Sequence, residues 1–272
     1  MKNCIITGAS KGFGKSLATK LYSNSYGVSL CARNTFDDYL IPYNDNKILK
    51  MICDVSDELQ VNYFIDESIK KFKTIDCLIL NAGVYGPMGN IESINMDEWI
   101  SSFNINLYGV IYPCKKIINH FKLNKKGKII VISGGGATSP MPYVTSYAAS
   151  KAAVIRFTES LSLELKDFNI DVNAVAPGPL VTDMMKQAID AGPSVIGKDF
   201  YEKNLKWKET EINNISNATD LVYYLTTDKS DGITGKLISA KWDEWSKLHE
   251  KKEFLNSSDV YTLRRIVPED RE

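Results

Sequence analysis

Tyr147 and Lys151 stand four residues apart in "SYAASKAAV" (146–154), a stretch that reads as helix. Positions i and i+4 share one helical face, so a phenol and an ammonium lie side by side there. A phenol with a pKa of ~10 is a weak acid–base group at neutral pH, and a nearby cation that favours phenolate lowers that value. Such a pair can give a proton to a carbonyl oxygen or take one from an alcohol. The chain has two histidines, His120 at the polar end of a helical pattern and His249 in a charged C-terminal segment, and neither lies in a catalytic motif. Acid–base chemistry here falls to the tyrosine.

A second chemical feature comes near the start. "TGASKGFG" places Gly8, Gly12 and Gly14 between the strand-like "NCIIT" and the helical "KSLATKLYSN". A glycine turn between strand and helix lets backbone approach a pyrophosphate, which sits on the free N–H groups and positive end of the helix. The alternative is a tight turn with no ligand. The second strand ends "CARN", where Ala32 is neutral and Arg33 basic, and Lys11 adds a cation from the glycine turn. An acid there would bind an adenosine 2′-hydroxyl, whereas cations accept a 2′-phosphate. The charges favour NADP, with NAD second, unless Lys11 and Arg33 are merely solvated surface charge. Asp37 and Asp38 follow and are expected to face solvent.

The elements that must position these groups alternate along the chain. Strand-like runs lie at 3–7, 27–32, 47–55, 76–83, 128–133, 171–177 and 235–240. They are rich in Ile, Val and Leu with little alternation, the pattern of strands buried on both faces. Helical patterns lie between them. One carries Val61, Ile65, Ile69 and Phe72 and is opened by Ser56 or Asp57 as cap; others span 97–120 and 143–167. Regular alternation predicts an α/β fold, a single doubly wound domain with a parallel sheet of about seven strands and helices on both faces. The domain is expected over residues 1–240, with an extension at 241–272.

Composition narrows the function classes. Lys plus Arg and Asp plus Glu are both 33, so there is no electrostatic footprint for nucleic acid or an anionic membrane. No apolar run is long enough to span a bilayer, and the N-terminal residues lack a signal-peptide pattern, so a cytoplasmic protein is expected. Five cysteines without a CxxC argue against a disulfide framework and a zinc site. Cys4, Cys31, Cys53 and Cys77 read as small hydrophobes in strands.

The glycine turn, Asn81-Ala82-Gly83 at the end of the fourth strand, and Tyr147 with Lys151 coincide in one chain. In kind, order and spacing they resemble the short-chain dehydrogenase/reductase family, over residues 1–240. The resemblance implies a Rossmann-type, NAD(P)-dependent oxidoreductase that interconverts a carbonyl and a secondary alcohol. It implies Tyr147 as acid–base group and Lys151 as holder of the nicotinamide ribose hydroxyls. Asn106, in "FNINLYGV", matches the asparagine that positions a water for proton relay; Asn104 is second. Ser10 and Phe13 join the glycine turn, Asp54 and Val55 lie by the adenine, and Asn81, Ala82 and Gly83 line the cofactor cleft. Asp54 could equally cap the next helix. Pro177 and Gly178 turn the chain in "PGPLVTDMM", the backbone of Leu180 faces the nicotinamide amide, and Thr182 hydrogen-bonds it.

The chain departs from the family at the serine that donates a hydrogen bond to the substrate oxygen. Ser133 is one residue farther from the tyrosine than usual, and Gly134 of "SGGGATSPMP" holds the usual position. An extra loop residue would bring Ser133 to the site; Thr138, Ser139 and Ser146 are the other hydroxyls at hand. Residues 184–215 correspond to the segment that covers the substrate, either an amphipathic surface helix pair or a mobile lid. Its lysines (Lys186, Lys198, Lys203, Lys206, Lys208) would suit an anionic substrate such as a phosphorylated or nucleotide-linked sugar.

In the extension, Trp242, Trp245, Leu248 and Leu255 predict docking on the domain or on a neighbouring subunit. "YTLRRIVPEDRE" with "SGGGATSP" resembles a bacterial subgroup associated with surface-polysaccharide pathways. Family members commonly form homodimers or homotetramers through the two long helices. Two other readings stay open: an epimerase or dehydratase of the same family, and a dinucleotide-binding regulatory module without turnover.

Overall fold

The computed structural model describes residues 1–36, 45–210 and 214–271. Asp37 and Asp38 lie outside the described residues. Seven parallel strands form one sheet: β1 (Asn3–Thr7), β2 (Gly27–Ala32), β3 (Ile48–Ile52), β4 (Cys77–Leu80), β5 (Gly127–Ile132), β6 (Ile170–Ala176) and β7 (Leu237–Ser239). Their order across the sheet is β3-β2-β1-β4-β5-β6-β7. The chain therefore reverses its direction of travel between β1 and β4, and a crevice opens there beyond the strand ends.

The near-continuous apolar strands have a plain cause. Ile6, Ile79, Ile130 and Val175 point into one core with α1 (Gly12–Ser23) and Leu221, Val222 and Leu225 of α9 (Asn214–Thr226). Their neighbours Ile5, Leu78, Ile129 and Val172 point into the other, with α2 (Glu58–Phe72), α4 (Gly109–Asn124) and α5 (Thr145–Leu165). In β1, β2, β4 and β5 every residue is buried whichever way it faces. Cys4, Cys31, Cys53, Cys77 and Cys114 are free and buried.

Asp57 opens α2, its carboxylate accepting from the backbone N–H groups of Leu59 (2.9 Å) and Gln60 (3.2 Å). Ser56 and Asp54 are therefore not the cap; Asp54 instead accepts from the Ser56 backbone and hydroxyl. The single helix expected at 97–120 is broken. α3 (Met96–Phe103) passes into a π-helical turn at Asn104–Tyr108 before α4 begins. The expected helix pair at 184–215 is three helices, α6 (Asp183–Ala191), α7 (Pro193–Ile196) and α8 (Lys198–Thr210).

The segment after β7 lies on its own chain. Leu248 and Leu255 are buried in the core shared with α1 and α9, whereas Trp242 is 80% exposed. The Leu237 N–H donates to the Tyr261 carbonyl (2.8 Å), and Lys236 Nζ donates to the carbonyls of Ser258 and Val260. The Leu263 N–H donates to Glu159 on α5 at 2.6 Å. This backbone covers the open edge of β7, which would otherwise offer unpaired groups.

Candidate active site

The crevice is one continuous cleft of about 1290 Å³, above the ~300–1,000 Å³ of sites for single small ligands and roomy enough for a dinucleotide with a substrate. The glycine turn forms one end. Gly8 has φ +64° and its Cα faces the backbone of Ala82, where an added Cβ would sit 2.7 Å from Ala82 Cα. At Gly14 an added Cβ would be 2.2 Å from the Gly8 carbonyl oxygen. The turn can close only with glycine at these two places. Asn81 fastens it, its Nδ2 donating to the carbonyls of Thr7 (3.1 Å) and Gly8 (2.9 Å). Thr7 Oγ1 in turn accepts from the N–H groups of Asn81 and Ala82. The cradle would fill if any side chain were added, and it suits a pyrophosphate.

Ser10, Lys11 and Gly12 border the cleft, as do Arg33, Asp54, Val55 and Gly83. Phe13 also borders it and is buried in the core. Arg33 is exposed and forms no ion pair among the described residues. Lys11 is committed elsewhere, paired with Asp183 at 2.6 Å. Pro177, Gly178, Leu180 and Thr182 form the facing wall. Thr182 precedes α6 without capping it, which leaves its hydroxyl uncommitted.

At the other end α5 presents Tyr147 and Lys151. Lys151 is 4% exposed and its Nζ donates to the Ile132 carbonyl at 2.8 Å. Burial lowers its amine to about 8. Tyr147 is equally enclosed, and burial, followed by the neighbouring Tyr85, pushes its phenol up. The ammonium lies 5.7 Å from the centroid of the Tyr147 ring. The expected lowering of the phenol by Lys151 is thus not what the geometry gives: desolvation outweighs the cation at this separation.

Asn106 is fully buried in the π-helical turn. Its Oδ1 accepts from the Val84 N–H (2.9 Å), and its Nδ2 donates to the Val84 carbonyl (2.9 Å) and to Ser150 Oγ (3.0 Å). Two of these bonds hold the loop after Asn-Ala-Gly, and the third ties the side chain to α5. Gly83 brings it near the lysine, since a Cβ there would be 3.2 Å from Asn106 Oδ1 and 3.4 Å from Lys151 Nζ. Asn104 does not border the cleft.

The serine expectation meets a different arrangement. A Cβ on Gly134 would stand 2.0 Å from Tyr147 Oη, so the family's serine position faces the tyrosine with no side chain. Ser133 borders the same cleft as Tyr147, with its Oγ buried and without a hydrogen-bond partner among the described residues. Ser146 is engaged with Ser102 (2.7 Å) and the Tyr85 carbonyl (3.2 Å). Thr138 and Ser139 lie exposed along the cleft.

Two residues that sequence reasoning passed over complete the substrate end. Tyr85 packs edge-on against Tyr147, ring centroids 4.8 Å apart and planes at 69°, and its ring centroid lies 6.4 Å from that of Phe200 on α8. Met141 borders the same space. The position of Tyr85, two residues past the Asn-Ala-Gly motif, was the available signal. Of the five lysines in the covering segment only Lys203 borders the cleft, alongside Asp199, so the walls carry little net charge. The histidines serve structure: His120 Nε2 accepts from the Ile75 N–H (3.0 Å), and His249 adjoins Tyr224.

A parallel sheet with this crevice and a tyrosine–lysine pair defines a dinucleotide-binding oxidoreductase architecture, and comparison with known proteins agrees. Residues 2–192 match the family model described as short chain dehydrogenase. The 3-ketodihydrosphingosine reductase of Bacteroides thetaiotaomicron is 32% identical over 213 residues, 77% of each chain. The structure of ElxO with NADP bound has a TM-score of 0.73 at 28% identity, covering 88% of this chain and 96% of that one. The 3-ketoacyl-(acyl-carrier-protein) reductase from Brucella melitensis, complexed with NADH, has a TM-score of 0.72 at 25% identity over 88% and 96%. This chain belongs to the short-chain dehydrogenase family of oxidoreductases. Among its described residues no helix is long and apolar enough to cross a membrane.

Proposed function

We propose that the protein is an NADP(H)-dependent oxidoreductase interconverting a carbonyl and a secondary alcohol, with NAD the second choice of cofactor. The observation that carries this reading is that Tyr147 and Lys151 open onto the same cleft as the glycine turn. The dinucleotide, when bound, supplies or accepts the hydride. Gly8 to Gly14 would hold its pyrophosphate, Asp54 and Val55 its adenine, and Leu180 and Thr182 its amide. Arg33, exposed at the end of β2 with no acid beside it on the strand, would meet a 2′-phosphate.

Lys151 has one acceptor, the Ile132 carbonyl, and an ammonium has three donors, so two remain for ribose hydroxyls. Tyr147 holds its proton at Oη because burial disfavours phenolate. That state suits donation to a carbonyl oxygen, the reductive direction. Asn106 keeps the loop at 83–85 in place around the lysine and, through its main chain, would seat the relay water. A sugar or sugar nucleotide in polysaccharide synthesis is the substrate suggested by the C-terminal resemblance. Assembly as a homodimer or homotetramer is what the family likeness implies, and we place the protein in the cytoplasm.

The test is a parallel fluorescence titration with NADPH and NADH, then ketone reduction by the wild type and Tyr147→Phe. Tighter NADPH binding with turnover lost in the variant supports the reading; an active variant sinks it. A second reading, a dinucleotide-binding regulatory module, is favoured by the vacant serine position, and it requires binding without turnover by the wild type.

A further inference from the structure

We infer that Tyr85 supplies the hydroxyl that binds the substrate oxygen beside Tyr147, the task the family gives to a serine; this rests on the oxidoreductase reading above. The hydroxyls near Tyr147 can be taken in turn. Gly134 faces Tyr147 Oη without a side chain. Ser133 borders the cleft, but its Oγ is buried and makes no hydrogen bond to Tyr147 or to any other group among the described residues. Ser146 is held by Ser102 and by the Tyr85 carbonyl. Thr138 and Ser139 sit on the exposed rim of their loop.

Tyr85 differs from all of these. Its ring lies against the ring of Tyr147 at 4.8 Å and borders the cleft. Its phenol oxygen has no hydrogen-bond partner among the described residues. Its backbone is pinned on both sides: Asn106 holds Val84 through two hydrogen bonds, and Ser146 Oγ donates to the Tyr85 carbonyl. Gly86 follows at φ +74°, where a Cβ would lie 2.3 Å from Ser102 Oγ. A residue whose backbone is held this firmly and whose ring packs on Tyr147 and Phe200 offers an unspent donor preorganised to meet an oxygen that gains negative charge. The ring pair with Phe200 also ties it to the covering segment.

The experiment compares wild type, Tyr85→Phe, Ser133→Ala and Tyr147→Phe in the reduction of diacetyl, cyclohexanone and ethyl acetoacetate with NADPH and with NADH. Tyr85→Phe keeps the ring and its packing and removes only the donor. It is expected to lower kcat on the best probe by about 100-fold, the usual cost of losing one such donor. NADPH affinity and Tm should be unchanged, which a merely structural role would not allow. Ser133→Ala is expected to lose at least about tenfold less than Tyr85→Phe. A fully active Tyr85→Phe, the reverse order of the two variants, or a loss matched by weaker NADPH binding overturns the inference and leaves the oxidoreductase reading standing. Undiminished turnover by Tyr147→Phe overturns that reading itself, and failure of the wild type to reduce any probe overturns both.

Discussion

Lys11 of the glycine turn and Asp183 at the start of α6 form an ion pair of 2.6 Å, and both border the cofactor cleft. The pair joins the phosphate end to the base of the substrate-covering segment. It also sets Asp183 in competition with any 2′-phosphate for the same ammonium.

Asp183→Asn should therefore tighten NADPH binding while leaving NADH almost unchanged. Both partners are largely exposed, so the gain is at most about fivefold, because exposed ion pairs contribute ~1 kcal/mol or less. Fluorescence titration at low salt reads it, and the difference should fade as salt rises. Equal weakening of both nucleotides would assign Asp183 to the fold of the loop alone.

Lys151 should make stability depend on pH. Its buried amine is lowered to about 8, against ~10.4 in the unfolded chain. Below the folded value both states bind the proton and the folded state bears the cost of a buried cation. Between the two values the unfolded chain binds more protons, so stability rises with pH. Lys151→Met should then be inactive yet more stable than the wild type at neutral pH, by about 1–3 kcal/mol after the lost Ile132 hydrogen bond. The advantage should vanish above pH ~10. Chemical denaturation of both proteins across this range checks the sign.

Gly134 is expected to tolerate no side chain without disturbing Tyr147. A methyl there would lie 2.0 Å from Oη, so Gly134→Ala should displace the phenol and lower kcat at least about tenfold, small misplacements at a reacting group being costly. Gly134→Ser should behave the same way, although it recreates the family's serine. NADPH affinity should hold in both. A gain of activity in the serine variant would show that the pocket adjusts and would undo this account.

Glu159 anchors the C-terminal segment by accepting from the Leu263 N–H and pairing with Arg156 at 2.6 Å. Glu159→Gln weakens both contacts and should cost about 1–3 kcal/mol, the range for a buried acceptor losing a charged partner. Faster proteolysis after residue 257 should accompany the lower Tm. Unchanged proteolysis would mean that Leu248 and Leu255 alone hold the segment.

Much of this was legible in the chain. Ile5 and Ile6 sit in opposite cores, and the lack of alternation in "NCIIT" reported that double burial. The glycine turn could be read because Gly8 and Gly14 face backbone at distances no side chain survives. The helix break at Asn104–Tyr108 could not, because Asn106 turns inward to satisfy Val84, a contact made by a residue 22 positions away. Trp242 counted as apolar and proved exposed, since hydrophobicity alone does not say which of several neighbours finds a pocket.

Residue type and spacing by themselves determined the parallel α/β fold, the dinucleotide turn and the tyrosine–lysine pair, because each depends on backbone geometry or on one helical turn. Only the tertiary structure decided that Lys11 is paired with Asp183, that Ser133 Oγ is enclosed, that the Tyr147 phenol is raised, and that Tyr85 stands beside it. Those facts depend on which side chains meet across different elements and how much water they exclude. Burial and distance set them, and neither is written in local sequence.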